Sequence, residues 1–248
     1  MSSPNKCRVE VCFTPHLYDL YKDKHDIVVV IDVLRATSAM CTALQHGVKE
    51  IIPVATIEEA RSYDKSKYIV GAERNGEIVE GFDYGNSPRS YMEESIEGKT
   101  MVLSTTNGTK TIDIASGSDT LVIGSLVNLD AISDWLVKQE KDVLLLCSGW
   151  KDRFNLEDTI CAGAIAHNLL LTNRFSSEED SSIAAKYLYL SARENIFGYL
   201  KSSSHRRRLK RLNLNEDIKY CLTPNQSDVV PILHEGKLVD VSKVEVFS

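Results

Sequence analysis

The chain has no apolar run approaching the roughly 20 residues of a membrane span. Its first residues, MSSPNKCRVEV, also lack the apolar centre of a secretory signal. A cytoplasmic protein with no membrane partner is therefore expected. There is no excess of positive charge. Lys and Arg number 29 against 35 Asp and Glu, and the net charge of -6 disfavours a nucleic-acid partner. The six cysteines, Cys7, Cys12, Cys41, Cys147, Cys161 and Cys221, contain no C-x-x-C pair. That spacing argues against a zinc cluster and for reduced thiols that carry no chemistry. Two glycine-rich signatures are missing as well, the G-x-x-x-x-G-K-[ST] loop and the dinucleotide G-x-G-x-x-G.

What is present is an ordinary globular composition, 248 residues with 43% hydrophobic and 26% charged side chains, enough for a sizeable core. Short continuous apolar runs predict strands over residues 7–13, 27–32, 50–53, 68–71, 100–104, 120–123 and 143–147. Continuous rather than alternating runs suit a sheet covered on both faces. Helical patterns fall between them, at 37–46, 57–63, 109–115, 129–139 and 155–171. Strand alternating with helix predicts an α/β fold with a mostly parallel sheet. After about residue 173 the pattern changes to helices at 178–189 and 191–202, a basic stretch, and β signals at 229–233 and 239–247 around a turn at Glu235-Gly236. We read residues 1–248 as a single domain with C-terminal helical and β additions.

Three strand ends share one design. VVVIDVLRATSAM from Val28, MVLSTTNGTKTI from Met101 and VLLLCSGWKDRFNLEDTI from Val143 each pass from an apolar strand through small or polar residues into a helix. Ligands of open α/β sheets bind beyond the carboxyl ends of strands, where helix N-termini offer unpaired N–H groups. Thr37 and Ser38 would begin or cap one helix, and Thr105, Thr106, Asn107, Gly108 and Thr109 would form a second polar loop. Simple helix capping explains each turn taken alone.

The charged residues add to this. Asp32 and Arg35 flank the first turn, either as an ion pair that fixes it or as a functional pair. Arginine at a helix N-terminus opposes the helix dipole unless an anion binds there. GAERNG, residues 71–76, combines Glu73 and Arg74 at another strand end. In GFDYGNSP, residues 81–88, Asn86 and Ser87 could cap a helix opened by Pro88. Glu157 and Asp158 open an apolar helix, where acids favour the dipole. Converging with Asp32 and Glu73, they would make a set of hard oxygen ligands suited to Mg2+. The basic stretch SSSHRRRLKRL, residues 202–212, is either a solvated helix or a source of His205 and a neighbouring arginine for an anionic substrate.

Together these motifs resemble the 2-phosphosulfolactate phosphatase family, the Mg2+-dependent enzymes of coenzyme M biosynthesis. The resemblance rests on IDVLRATSAM (31–40), GAERNG, GFDYGNSP, STTNGT (104–109), LEDTICAGAI (156–165), SHRRRL (204–209) and DVVP (228–231), in order along nearly the whole chain. Trp150 and Lys151 depart from the smaller residues expected in their loop. The resemblance implies a three-layer α/β/α fold and hydrolysis of a small phosphorylated, sulfonated hydroxy acid, with a homodimer among the assemblies open to it. In this reading Asp32, Arg35 and Glu73 are catalytic, and Asp32, Glu157 and Asp158 hold the metal. Thr37, Ser38, Arg74, Asn86, Ser87, Ser104, Thr105, Thr106, Asn107, Gly108, Thr109, His205 and Arg206 bind substrate. Residues 32–34, Asp-Val-Leu, lack the D-x-D of one large aspartyl-phosphate class. The rival readings are a sugar-phosphate isomerase or deaminase without an essential metal, and a small-anion binding module that releases no phosphate.

Overall fold

The structure, a computed structural model, describes residues 6–244. Its strands are β1 (Cys7–Cys12), β2 (Ile27–Ile31), β3 (Glu50–Pro53), β4 (Tyr68–Arg74), β5 (Glu77–Ile78), β6 (Thr100–Ser104), β7 (Thr120–Gly124), β8 (Val143–Cys147), β9 (Phe175–Ser176), β10 (Pro231–His234) and β11 (Lys237–Asp240). Its helices are α1 (Ala36–Gln45), α2 (Ile57–Arg61), α3 (Gly108–Ala115), α4 (Leu129–Gln139), α5 (Leu156–Leu171), α6 (Asp180–Ala192), α7 (Ile196–Tyr199), α8 (Ser204–Arg211) and α9 (Asn215–Cys221).

All the strands join one sheet in the order β5-β4-β6-β3-β11-β10-β7-β2-β8-β1-β9. Five strands, β9-β1-β8-β2-β7, form one parallel block, and β3, β6 and β4 form another. The antiparallel hairpin β10–β11 lies between the blocks. It bridges to β7 through Ile232 opposite Val122 and to β3 through Leu238 opposite Ile51. The C-terminal β signals therefore supply central strands.

The period-two geometry of a strand sends alternate residues to opposite faces. Ile27, Val29 and Ile31 of β2 enter one apolar cluster with α4, α5 and residues of α8 and α9. Val28 and Val30 enter a second with α1 and α3. A third cluster places Ala60 of α2 against Val70, Ala72 and Val102. Both faces are thus covered, giving the α/β/α layers and explaining why the strand runs are continuous in sequence.

Several boundaries differ from the expected ones for local reasons. Strand β4 continues through Glu73 and Arg74, because Asn75 and Gly76 (φ 58° and 93°) turn the chain tightly into β5. The helix expected over 191–202 is interrupted: α6 extends to Ala192, and Asn195, outside the helical region, caps a new helix by accepting from the Gly198 N–H at 2.7 Å. The strand expected over 239–247 starts earlier, at Lys237. It gives way after Asp240 to a 3-10 turn, and residues 245–247 lie outside the described region.

Helices α5 and α6 approach most closely at Gly163. A β-carbon there would sit 2.0 Å from the Ala185 carbonyl oxygen, a backbone atom that cannot swing aside. Gly163→Ala is expected to cost about 1–3 kcal/mol or more, lowering Tm by about 2–4 °C per kcal/mol for a domain of this size. Thermal unfolding checks this; an unchanged Tm would show that the helices separate without loss.

Candidate active site

The turn after β2 is built from its own hydroxyls. The Asp32 N–H donates to Thr37 Oγ1 at 3.0 Å and the Thr37 N–H returns to the Asp32 carbonyl at 2.9 Å. Ser38 Oγ donates to the Val33 carbonyl at 2.8 Å and lies 2.8 Å from Ser125 Oγ. Helix α1 starts at Ala36, and Arg35 occupies the capping position. The Thr37 and Ser38 side chains hold the turn itself.

Asp158 ties this turn to two others. Its Oδ1 accepts from the Val33 N–H at 2.9 Å, and its Oδ2 accepts from the Gly149 N–H at 3.0 Å and Asn155 Nδ2 at 2.8 Å. Asn155 also caps α5, its Oδ1 accepting from the Asp158 N–H at 3.0 Å. Glu157, beside it and 1% exposed, places Oε1 2.6 Å from His205 Nδ1 on α8, while its Oε2 is buried without a partner among the described residues.

Glu73 belongs to the other parallel block. Its carboxylate accepts from the Gly76 N–H at 2.5 Å, the Thr106 N–H at 3.2 Å, the Thr106 hydroxyl at 3.3 Å and Asn86 Nδ2 at 3.5 Å. The Ser104–Thr109 turn is otherwise largely self-bonded. Thr105 Oγ1 accepts from the Thr109 N–H, Ser104 Oγ accepts from Arg74, and Asn107 Oδ1 accepts from the Lys151 N–H. Gly108 brings this turn onto Asp32: a β-carbon there would lie 2.5 Å from Ala36 Cβ and 3.0 Å from Asp32 Oδ2.

Four acids, carried at or beyond the ends of three strands (β2, β4 and β8), thus gather in a space nearly closed to solvent. The Asp32 carboxyl is pushed up to about 8, first by burial and then by the charges of Asp158 and Glu73, with His205 opposing. Asp158 is also pushed up to about 8, by burial and then Glu157, against the pull of its N–H donors. No three His, Cys, Asp or Glu side chains among the described residues form a ready metal cage. The donor chemistry nevertheless suits a hard cation that keeps its waters and uses one or two carboxylates. The unpartnered Glu157 Oε2 and Asp32, whose carboxyl accepts from the Ala36 N–H, are the candidate donors, whereas Asp158 already accepts three N–H bonds.

The cations are placed differently from the sequence reading. Arg35 forms a buried pair with Asp217 of α9, Nη1 to Oδ2 at 2.6 Å, and its Nη2 donates to the Gly76 carbonyl at 2.7 Å. Its acid partner is therefore not Asp32. Breaking a buried pair of this kind costs about 3–5 kcal/mol, so the pair anchors α9 to the site. Arg74 donates to the Glu73 carbonyl at 2.6 Å and to Ser104 Oγ at 3.0 Å. Arg206 stacks 3.7 Å from the Phe197 ring centre and donates to the Phe197 carbonyl, so its guanidinium is not brought to the acids. Ser87 precedes the 3-10 turn Pro88–Tyr91 without a side-chain capping bond, and Asn86 turns to Glu73 instead. Beside Glu73 a cleft of about 540 Å³ is lined by Arg35, Gly76, Asn86, Ser87 and Leu212 among others. Burial pushes the Cys147 and Cys161 thiols well above their ordinary range, which disfavours a thiolate nucleophile.

The site roles of Asp217 and Asn155 escaped the sequence reading. Asn155 stands at a cap position three residues before Asp158, a signal that could have been used. Asp217 has no such local signal, lying 182 residues from its partner.

Asp32 and Asp158 have folded values above the usual carboxylate range. The stability they contribute is full below pH 4 and is lost as pH rises toward 8. In metal-free buffer, Asp32→Asn is therefore expected to raise Tm at pH 8 by several degrees, on the order of 2–4 °C per kcal/mol. The gain should vanish near pH 4. Thermal melts across this range check it; a variant less stable than the parent at pH 8 would contradict the cost assigned to burying the Asp32 charge beside Asp158.

The chain was also compared with known proteins. The family model described as 2-phosphosulpholactate phosphatase matches residues 12–236. A protein of Caldanaerobacter subterraneus subsp. tengcongensis named "Probable 2-phosphosulfolactate phosphatase" is 40% identical over 217 residues, covering 86% of this chain and 90% of that protein. A Clostridium perfringens protein of the same name (strain SM101) is 37% identical over 242 residues, covering 94% and 96%. One from Clostridium novyi is 38% identical, covering 88% and 93%. With a match across most of its length and relatives this similar, the chain belongs to the 2-phosphosulfolactate phosphatase family of phosphoric monoester hydrolases.

Proposed function

We propose that this chain is a Mg2+-dependent phosphatase that converts 2-phosphosulfolactate to sulfolactate and phosphate, a step of coenzyme M biosynthesis. The observation that carries the reading is the convergence of Asp32, Glu73, Glu157 and Asp158 at the carboxyl ends of parallel strands. Burial and neighbouring acids raise Asp32 and Asp158, and His205 is the cation that opposes this at Asp32. A divalent cation held by Asp32 and Glu157 would add positive charge there and neutralise phosphoryl oxygens. Asp158 fixes the geometry of the surrounding turns, and Glu157 orients His205.

Hydrolysis breaks the ester P–O bond while water adds to phosphorus, and the leaving oxygen must gain a proton. With the cation bound, Asp32 would be held ionised and suited to take the proton of the attacking water, which then passes to the leaving oxygen. Attack by Asp32 itself, through an aspartyl-phosphate, is the other route open to the same side chain. Arg74 and the Ser104–Thr109 turn would border the substrate's anionic groups.

Phosphate release from 2-phosphosulfolactate tests the reading directly. Turnover is expected with Mg2+, to stop with EDTA, and to return when Mg2+ is restored. Asp32→Asn is expected to lose about a hundredfold or more in kcat while remaining folded. Full activity in metal-free buffer would exclude the metal, and turnover of neither this substrate nor other phosphorylated hydroxy acids would exclude the phosphatase.

A further inference from the structure

Helix α8 presents an arginine that neither the motif reading nor the acid cluster uses. His205 and Arg208 are three residues apart and so share one face of the helix. Both pack on the same indole: the His205 ring centre lies 5.2 Å from that of Trp150, and the Arg208 guanidinium carbon lies 4.2 Å from it. His205 is bonded to Glu157 at 2.6 Å, which places this face of α8 against the acid cluster.

The Arg208 head group is incompletely satisfied. Its Nε and Nη2 are buried and find no partner among the described residues. These two N–H groups form one edge of the guanidinium, the fork that grips two oxygens of one oxyanion. Burying donors without acceptors is costly, and here burial also draws the guanidinium below its ordinary range, with Glu157 only partly opposing. Arg206 and Arg207 differ: Arg206 donates to Phe197, and Arg207 is exposed and donates to the Ser202 carbonyl at 2.8 Å.

We propose that Arg208, held over Trp150, is a substrate-binding residue whose Nε/Nη2 edge grips an oxyanion of the substrate. The assignment rests on the phosphatase reading for the identity of the substrate, but not for the binding of an anion. Trp150, in a loop where smaller residues were expected, then acts as the platform that keeps the fork planar to its ligand.

Trp135 and Trp150 are the two tryptophans of the chain, so Trp135→Phe leaves Trp150 as the sole indole reporter. In that background the full-length protein is titrated with inorganic phosphate and with methanesulfonate, following Trp150 fluorescence. Saturable binding is expected, weakened about ten- to a hundredfold in Arg208→Lys and Arg208→Gln. Lysine should not rescue, because it lacks the fork, and Arg207→Ala should bind as the parent does. Turnover separates the oxyanions. Loss of kcat/KM on both p-nitrophenyl phosphate and 2-phosphosulfolactate assigns Arg208 to the phosphoryl group. Loss on 2-phosphosulfolactate alone assigns it to the sulfonate or carboxylate. A folded Arg208→Lys with parental anion affinity and parental kcat/KM on both substrates overturns the proposal and leaves the phosphatase intact. A parent that hydrolyses neither substrate, yet binds phosphate in an Arg208-dependent way, overturns the phosphatase and leaves Arg208 as an anion-binding residue. Absence of any Arg208-dependent anion binding or turnover overturns the proposal.

Discussion

The carboxylate of Asp158 is the constraint on which the rest of the site depends. It is fully buried and accepts N–H bonds from the turn after β2, the turn after β8 and the cap of α5. A lone buried carboxylate is costly, and these donors are what make it tolerable. Because one group satisfies two backbone N–H groups and the Asn155 side-chain amide, none of the turns can move without leaving a buried partner unpaired. Asp32 is carried on the first of these turns, immediately before Val33, so its position follows from Asp158.

A second constraint comes from the other end of the chain. Arg35 is buried beside the turn of Asp32, yet its acid partner is Asp217. The hairpin β10–β11 joins the parallel blocks that carry Asp32 and Glu73. Residues beyond 173 therefore complete both the sheet and the site. The charge pattern is consistent with this arrangement: acids gather at the strand ends, while His205 and Arg208 come from α8, whose His205 reaches Glu157.

Much of this was legible in the sequence because burial on both faces leaves continuous apolar runs, and their ends mark where ligands bind. Asp32, Glu73, Glu157 and Asp158 all stand at or near such ends, and the structure brings them together. What sequence could not show was orientation. Thr37, Ser38 and Thr105 were visible as hydroxyls, but not as groups already bonded to their own turns. Arg206 and Arg208 are indistinguishable by type. Their separate roles depend on helical phase and on Phe197 and Trp150, which are remote in pattern. The hairpin was readable as β structure, yet its place at the centre of the sheet depends on edges presented by β3 and β7, far away in the chain.

The central hairpin also bears on how the protein is made. A ribosome delivers the chain from its N-terminus, so both parallel blocks emerge before β10 and β11 exist. Until then β3 and β7 present unpaired edges, the surfaces through which nascent chains associate wrongly. Closing them requires contacts spanning more than a hundred residues, the long-range kind that slows folding. The enzyme thus gains its continuous sheet only once residues 231–240 have emerged, and a nascent chain halted before the hairpin would display two separate adhesive edges.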